Sequence, residues 1–233
     1  MRFTASCILA IASSAVFAQL DPYAQIERAV DISLRHPQVI VDVGGSMQLG
    51  NRPAEQYRLR TYIQGKKMLA DAFVNDERRL MILADGAKVW RYDPIKNEYT
   101  YLSQPETIQK TFGVAVAWAR SEMQRPLRLL AQSSRWLINP TMEQQPNHVR
   151  LHTVVQVGNE GDWRGTDLNF YFSETSGAMQ SFTIRERIDM PGRTLKVSDF
   201  MGTFLYPETF TYPFTFTPPR GSKPAADLPS RIG

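Results

Sequence analysis

From Gln38 onward the chain is built of short runs with a two-residue period, and this pattern limits it to a mostly antiparallel β fold. Val39, Val41 and Val43 alternate with Ile40 and Asp42, and Tyr57, Leu59, Thr61 and Ile63 alternate with Arg58, Arg60 and Gln64. Further runs cover Met68–Val74, Arg79–Ala84, Lys88–Tyr92 and Glu98–Leu102. Between them stand the turn residues Gly44-Gly45, Gly50-Asn51, Gln64-Gly65, Asn75-Asp76 and Asp85-Gly86. Period-two runs joined by such pairs form hairpins, and Asp85-Gly86 is the sharpest signal. A second ladder follows over Leu151–Val157, Asp167–Phe172, Met179–Arg187 and Thr194–Met201, divided by Gly158, Gly161, Gly177 and Pro191-Gly192. Thr203–Pro213 is irregular and aromatic, Phe214–Thr217 reads as a last short strand before Pro218-Pro219, and residues 220–233 read as a flexible tail.

Two stretches break the ladder. Asp21-Pro22 is a capping carboxylate followed by proline at the first helical position, and Ile26, Ala29, Val30, Ser33 and Leu34 then share one face. This predicts a helix over residues 22–35, ended by Pro37. Over 105–134, Ile108, Phe112, Ala115, Val116 and Ala119 fall at helical spacing, and Leu127, Leu129, Leu130 and Ala131 suggest a second short helix after Arg125-Pro126. The order is therefore helix, ladder, helix pair, ladder, tail. Nearly all connections are short, which argues against parallel crossovers. A ladder of about 10–11 strands curls to bury one face, giving a mainly β (α+β) architecture with short helices over its open side.

The first 18 residues read as a secretion signal: Arg2, the apolar run Ile8–Ala12, and Val16-Phe17-Ala18 before the cleavage point. Cys7, the single cysteine, departs with it, so the exported chain has neither disulfide nor thiolate ligand. No linker or repeat divides residues 19–219, so one domain is expected. The formal net charge of +4 is scattered rather than clustered, which gives nucleic-acid binding little support.

Two passages carry a resemblance. Leu83-Ala84-Asp85-Gly86-Ala87-Lys88-Val89-Trp90-Arg91-Tyr92-Asp93-Pro94 and Phe214-Thr215-Phe216-Thr217-Pro218-Pro219-Arg220-Gly221 resemble corresponding passages of the LolA-type periplasmic lipoprotein carriers. The resemblance implies an incomplete antiparallel barrel lidded by helices. It also implies a monomeric periplasmic carrier that takes lipoproteins from an inner-membrane exporter to an outer-membrane receptor. In that family an early-strand arginine latches the lid; Arg58, Arg60 and Lys66 are the candidates here.

A carrier of this kind needs an apolar hollow, because each exposed CH₂ of an acyl chain costs about 0.8 kcal/mol in water. Candidate lining residues are Leu59, Ile63, Trp90, Tyr92, Leu168, Phe170, Phe172, Phe182 and Ile184 from strands, with Phe112, Val116, Leu127 and Leu130 from the helices. Any one of them is equally readable as ordinary core. Met68, Met81, Met123 and Met179 add adaptable apolar surface. No cofactor, metal or catalytic residue is expected: there is no nucleophile elbow or phosphate loop, and His148 and His152, four apart on a strand, would lie ~13 Å apart. The competing reading is a periplasmic sensor or envelope-assembly protein that uses the same fold to bind a protein partner.

Overall fold

The computed structural model describes residues 22–123, 140–157, 164–190 and 193–225. The expected export signal, the helix expected after Arg125-Pro126 and the last eight residues of the expected tail lie outside the described residues. Among the described residues twelve strands form a single sheet in the order β12-β6-β5-β4-β3-β2-β1-β11-β10-β9-β8-β7. The first ladder is β1 (Gln38–Leu49), β2 (Glu55–Gln64), β3 (Lys67–Val74), β4 (Glu77–Ala84), β5 (Lys88–Asp93) and β6 (Glu98–Ser103). The second is β7 (Thr141–Gln145), β8 (His148–Val157), β9 (Arg164–Ser173), β10 (Met179–Met190) and β11 (Arg193–Leu205). The ladders join where β1 pairs antiparallel with β11, Val41 opposite Phe204 and Met47 opposite Ser198. The edges β7 and β12 do not meet, so the sheet is curled but open, as the expected fold class requires.

The turns behave as their residues dictate. Gly86 adopts φ +105°, and Asp85 Oδ1 accepts the amides of Ala87 and Lys88, both at 2.8 Å. Asn75 and Asp76 both take positive φ between β3 and β4, the signature of a two-residue hairpin turn matched to strand twist.

Two helices are present among the described residues. Helix α1 (Pro22–Leu34) buries Ala29, Ser33 and Leu34. Helix α2 (Ile108–Met123) starts under Thr107, whose hydroxyl accepts the Lys110 amide at 3.3 Å, and buries Thr111, Ala115 and Trp118. Their apolar faces join one cluster with Val39, Val41, Ile63, Ala84, Val89, Leu151 and Ile184. That cluster defines the concave face of the sheet.

The chain after β11 departs from expectation. Phe214–Thr217 is no strand; residues 206–222 run irregularly, and from Phe210 to Phe216 they lie over the opposite, convex face. Phe210, Tyr212, Phe214 and Phe216 pack there on Tyr62, Leu69, Met81, Leu83 and Trp90 as a second cluster. The segment ends in β12 (Lys223–Pro224), which pairs parallel with Glu98 and Tyr99 of β6, so the first part of the expected tail is tied down. Threonine and alternating phenylalanine give the segment strand-like periodicity, but flanking prolines and a crossing path deny it a ladder partner.

Candidate functional site

Strand alternation sorts side chains into two sets, and register shows how the sets align across the sheet. Val39 faces Ile63, Ile63 faces Met68, Met68 faces Ala84 and Ala84 faces Val89, so all five stand on the concave side. In the second ladder Leu151 faces Phe170, Phe170 faces Phe182 and Phe182 faces Gly202. The result is a nearly continuous apolar floor running across the junction of the two ladders, with α1 and α2 laid over it.

Glycine shapes this floor at two points. A Cβ on Gly202 would stand 2.2 Å from the Phe182 ring, and one on Gly45 would stand 2.2 Å from the Asp199 carbonyl oxygen and 2.6 Å from the Phe200 ring. The absent side chains let the Phe182 ring approach Gly202 and let the β11 backbone approach Gly45. Phe182 also meets Phe170, with ring centroids 6.3 Å apart, and Phe200 meets Tyr57 at 6.1 Å.

Polar groups at the α1 end of the floor are satisfied by one another. Ser33 Oγ donates to the Ala29 carbonyl at 2.7 Å and accepts the Met179 amide at 2.9 Å. The Tyr206 hydroxyl lies between Ser33 Oγ, at 2.7 Å, and the Met179 carbonyl. Burial pushes the Tyr206 phenol above its ordinary value, with the Ser33 hydrogen bond opposing, so it stays a neutral donor. This cluster fixes the end of α1 to the first residue of β10.

Leu59, Ile63, Leu168, Phe170, Phe172, Phe182 and Ile184 are all buried in the concave cluster, and Phe112 packs against it from α2. Val116 is half-buried on α2, while Leu127 and Leu130 lie outside the described residues. Trp90 and Tyr92 belong to the other face, which corrects their placement among the lining residues. Their neighbours Val89 and Arg91 have the concave parity, and Trp90 packs against Phe216 with ring centroids 5.0 Å apart and donates its indole N–H to Asp85 Oδ2 at 2.9 Å. Aromatic residues fit that side because the C-terminal segment covers it. Trp118, buried on α2, was not singled out from the sequence; its i+3 spacing from Ala115 and i+7 from Thr111 was the available signal.

Two of the lid-latch candidates face away from the helices. Arg58 and Arg60 both pair with Asp42 on the convex face, away from the helices. Burial works to raise the Asp42 carboxyl, but hydrogen bonds from the two guanidinium groups outweigh it and hold the acid below its ordinary value. Lys66 sits exposed in the β2–β3 turn, where its carbonyl accepts the Gln104 side chain.

His148 and His152 also point to the convex side. His152 Nε2 meets Asp167 Oδ1 at 3.2 Å and His148 meets Gln145 at 2.7 Å, each in its own pair. Among the described residues no three His, Cys, Asp or Glu side chains converge as a metal would require.

No family model matches the sequence, and no curated protein matches it. Solved structures similar to this chain include a LolA superfamily protein from Nitrosomonas europaea, at 12% identity over 82% of this chain and 95% of that one, with a TM-score of 0.30. A DUF1329 family protein from Desulfovibrio piger is similar at 9% identity over 81% and 93% of the respective chains, with a TM-score of 0.31. On its own backbone, the chain has an open, curled antiparallel sheet with helices across its concave face.

Proposed function

We propose that the protein is a periplasmic carrier that shelters acyl chains of lipoproteins or other lipids on its concave face and passes them toward the outer membrane without chemical change. The observation that carries this reading is the cover of the apolar floor. In a closed sandwich a second sheet would interdigitate with it permanently; here, among the described residues, helices lie over it instead. Helices joined to the sheet through loops can part from it as rigid units, and the floor they uncover is aliphatic and aromatic with few polar groups. Such a surface accepts chains of varied shape, since dispersion and desolvation impose no fixed geometry. Met68 and Met179, buried within it, add side chains that repack easily. The export signal and the two passages that resemble LolA-type carriers point the same way, and an inner-membrane exporter and an outer-membrane receptor are the partners this role needs.

The decisive measurement is native mass spectrometry with lipid extraction on protein purified from its own host. Co-purified lipid or acylated peptide is expected. Phe170→Asp should reduce that lipid more than it reduces the sheet's circular dichroism, and equal loss of both would mark Phe170 as packed core. An exported protein that carries no lipid would overturn the carrier role.

A second reading, a sensor or assembly protein that binds a protein partner, is favoured by one feature. Met201 and Leu205 on the convex face of β11 are 54% and 53% exposed, beside a shallow groove lined by Asp42, Gly44, Arg58 and Phe73. Capture of a specific envelope protein with an empty concave face would establish it.

A further inference from the structure

The apolar floor does not run unbroken to both ends. At the end away from the α1 attachment, β10 and β11 place three polar side chains on the concave side. Glu186 stands opposite Ser198 in register, and Ser198 stands opposite the buried Met47 of β1. Lys196, two residues before Ser198 and therefore on the same face, forms an ion pair with Glu186; their side chains are only 15% and 13% exposed. Ser198 is 2% exposed, and among the described residues its Oγ has no hydrogen-bond partner.

Such a hydroxyl is costly: leaving a buried donor unmet forfeits the hydrogen bonds it had in water. The ion pair beside it also gives up hydration. Neither is needed to close the sheet, since the Ser198 backbone already pairs with β1 and β10. An alanine would fill the same place in a purely structural floor. From Ser198 the concave side of β11 continues through Phe200 and Gly202, with Phe182 lying on the latter, to Phe204. That path is ~20 Å long at strand rise, on the scale of an extended long-chain acyl group.

We infer that Ser198, with the Lys196–Glu186 pair beside it, holds the carbonyl of an acyl ester or amide, so that the chain extends from there along β11 toward α1. The inference rests on the carrier reading and adds which end of the ligand lies where. The Ser198 hydroxyl donates to the carbonyl oxygen, and the ion pair offers a polar, nearly neutral surface to the glycerol or peptide part beyond it. Ester and amide share this chemistry; they differ in source, a glycerolipid or an N-acylated chain terminus.

The test compares three probes on delipidated exported protein: monopalmitoylglycerol, palmitoylethanolamide, and hexadecyl glyceryl ether, which lacks the carbonyl. At least one carbonyl probe should bind about tenfold more tightly than the ether, equivalent to about 1.4 kcal/mol, and which one does so identifies the source. Ser198→Ala should bring that probe down to the ether's affinity and leave the ether unchanged. Its urea midpoint should stay level or rise, because an unmet polar group has been removed, and this separates a lost anchor from a damaged fold. Equal binding of ether and carbonyl probes by the unaltered protein, or a preference that survives Ser198→Ala, overturns the anchor and leaves the carrier reading standing. Failure to bind any of the three overturns both.

Discussion

At the scale of single residues, two positions show how the floor and its reverse are constrained. Gly202 is held by the Phe182 ring, so Gly202→Ala has no room for its methyl unless the ring or strand moves. Overpacking of this kind costs about 1–3 kcal/mol, and urea unfolding should show the loss. Gly113→Ala on α2, with open space around it, serves as the control and should not destabilise. Asp71 works in the opposite sense. Burial raises its carboxyl above the ordinary value, and Arg78, with Nε 3.2 Å away, only partly opposes this. A raised folded-state pKa means that Asp71 favours folding most below the unfolded carboxyl value of about 3.9, and that this contribution is lost as pH rises through the higher folded value. Asp71→Asn should therefore raise the melting temperature at pH 7, and the gain should vanish at pH 3, where both states of the natural residue are protonated. Equal melting temperatures at pH 7 would show that Arg78 compensates fully.

At the scale of elements, the C-terminal segment does the work of a second layer. Residues 210–216 cover the convex side of β2–β5, and the chain finishes as β12, which pairs with Glu98 and Tyr99 at the start of the edge strand β6. This explains why β3 is buried on both faces from Met68 to Ala72, a run unlike the clean alternation of β2. Phe214 is the buried centre of the contact, touching the cluster of Leu69 and Leu83. Phe214→Ala should cost about 3–5 kcal/mol, as for other buried phenylalanines, and should raise hydrogen exchange at β12 and β6 before β1 and β11. A cost below about 1 kcal/mol would mean that the segment merely rests on the sheet. The helices differ from this segment because they meet the sheet on the face proposed to change partners.

At the scale of the whole molecule, stability is expected to be uneven. Strands β1, β2, β10 and β11 form the centre of the sheet, each paired on both sides, whereas α2 has one packed face and a solvent face. A carrier's lid belongs to the low-stability part of the protein, so α2 amides should exchange by a local opening cheaper than global unfolding. Central-strand amides should exchange only on global unfolding. Added long-chain lipid should alter protection in α2 more than in β1. Identical opening free energies for α2 and β1 would mean that the floor is reached only by unfolding, which a carrier cannot use.

Much of this was legible in the sequence, because turns and alternation are local. Asp85-Gly86 made its hairpin through its own side chain and a positive φ, the first helix ended one residue before its predicted limit, and Leu168, Phe170 and Phe172 shared a face as their spacing required. The short β7 and β12 were missed, since Thr141–Gln145 and Lys223–Pro224 carry little apolar pattern and owe their pairing to neighbours far along the chain. Which set of side chains faces inward was decided only in three dimensions. A period of two separates Val89 from Trp90 and Ser198 from Val197 but assigns neither to a side. The side is chosen by the direction of sheet coiling and by a segment arriving from over a hundred residues away, so Trp90 packs under Phe216 rather than over the floor. Ser198 looks ordinary between Val197 and Asp199, and only the folded sheet buries it, so that an unmet hydroxyl has meaning.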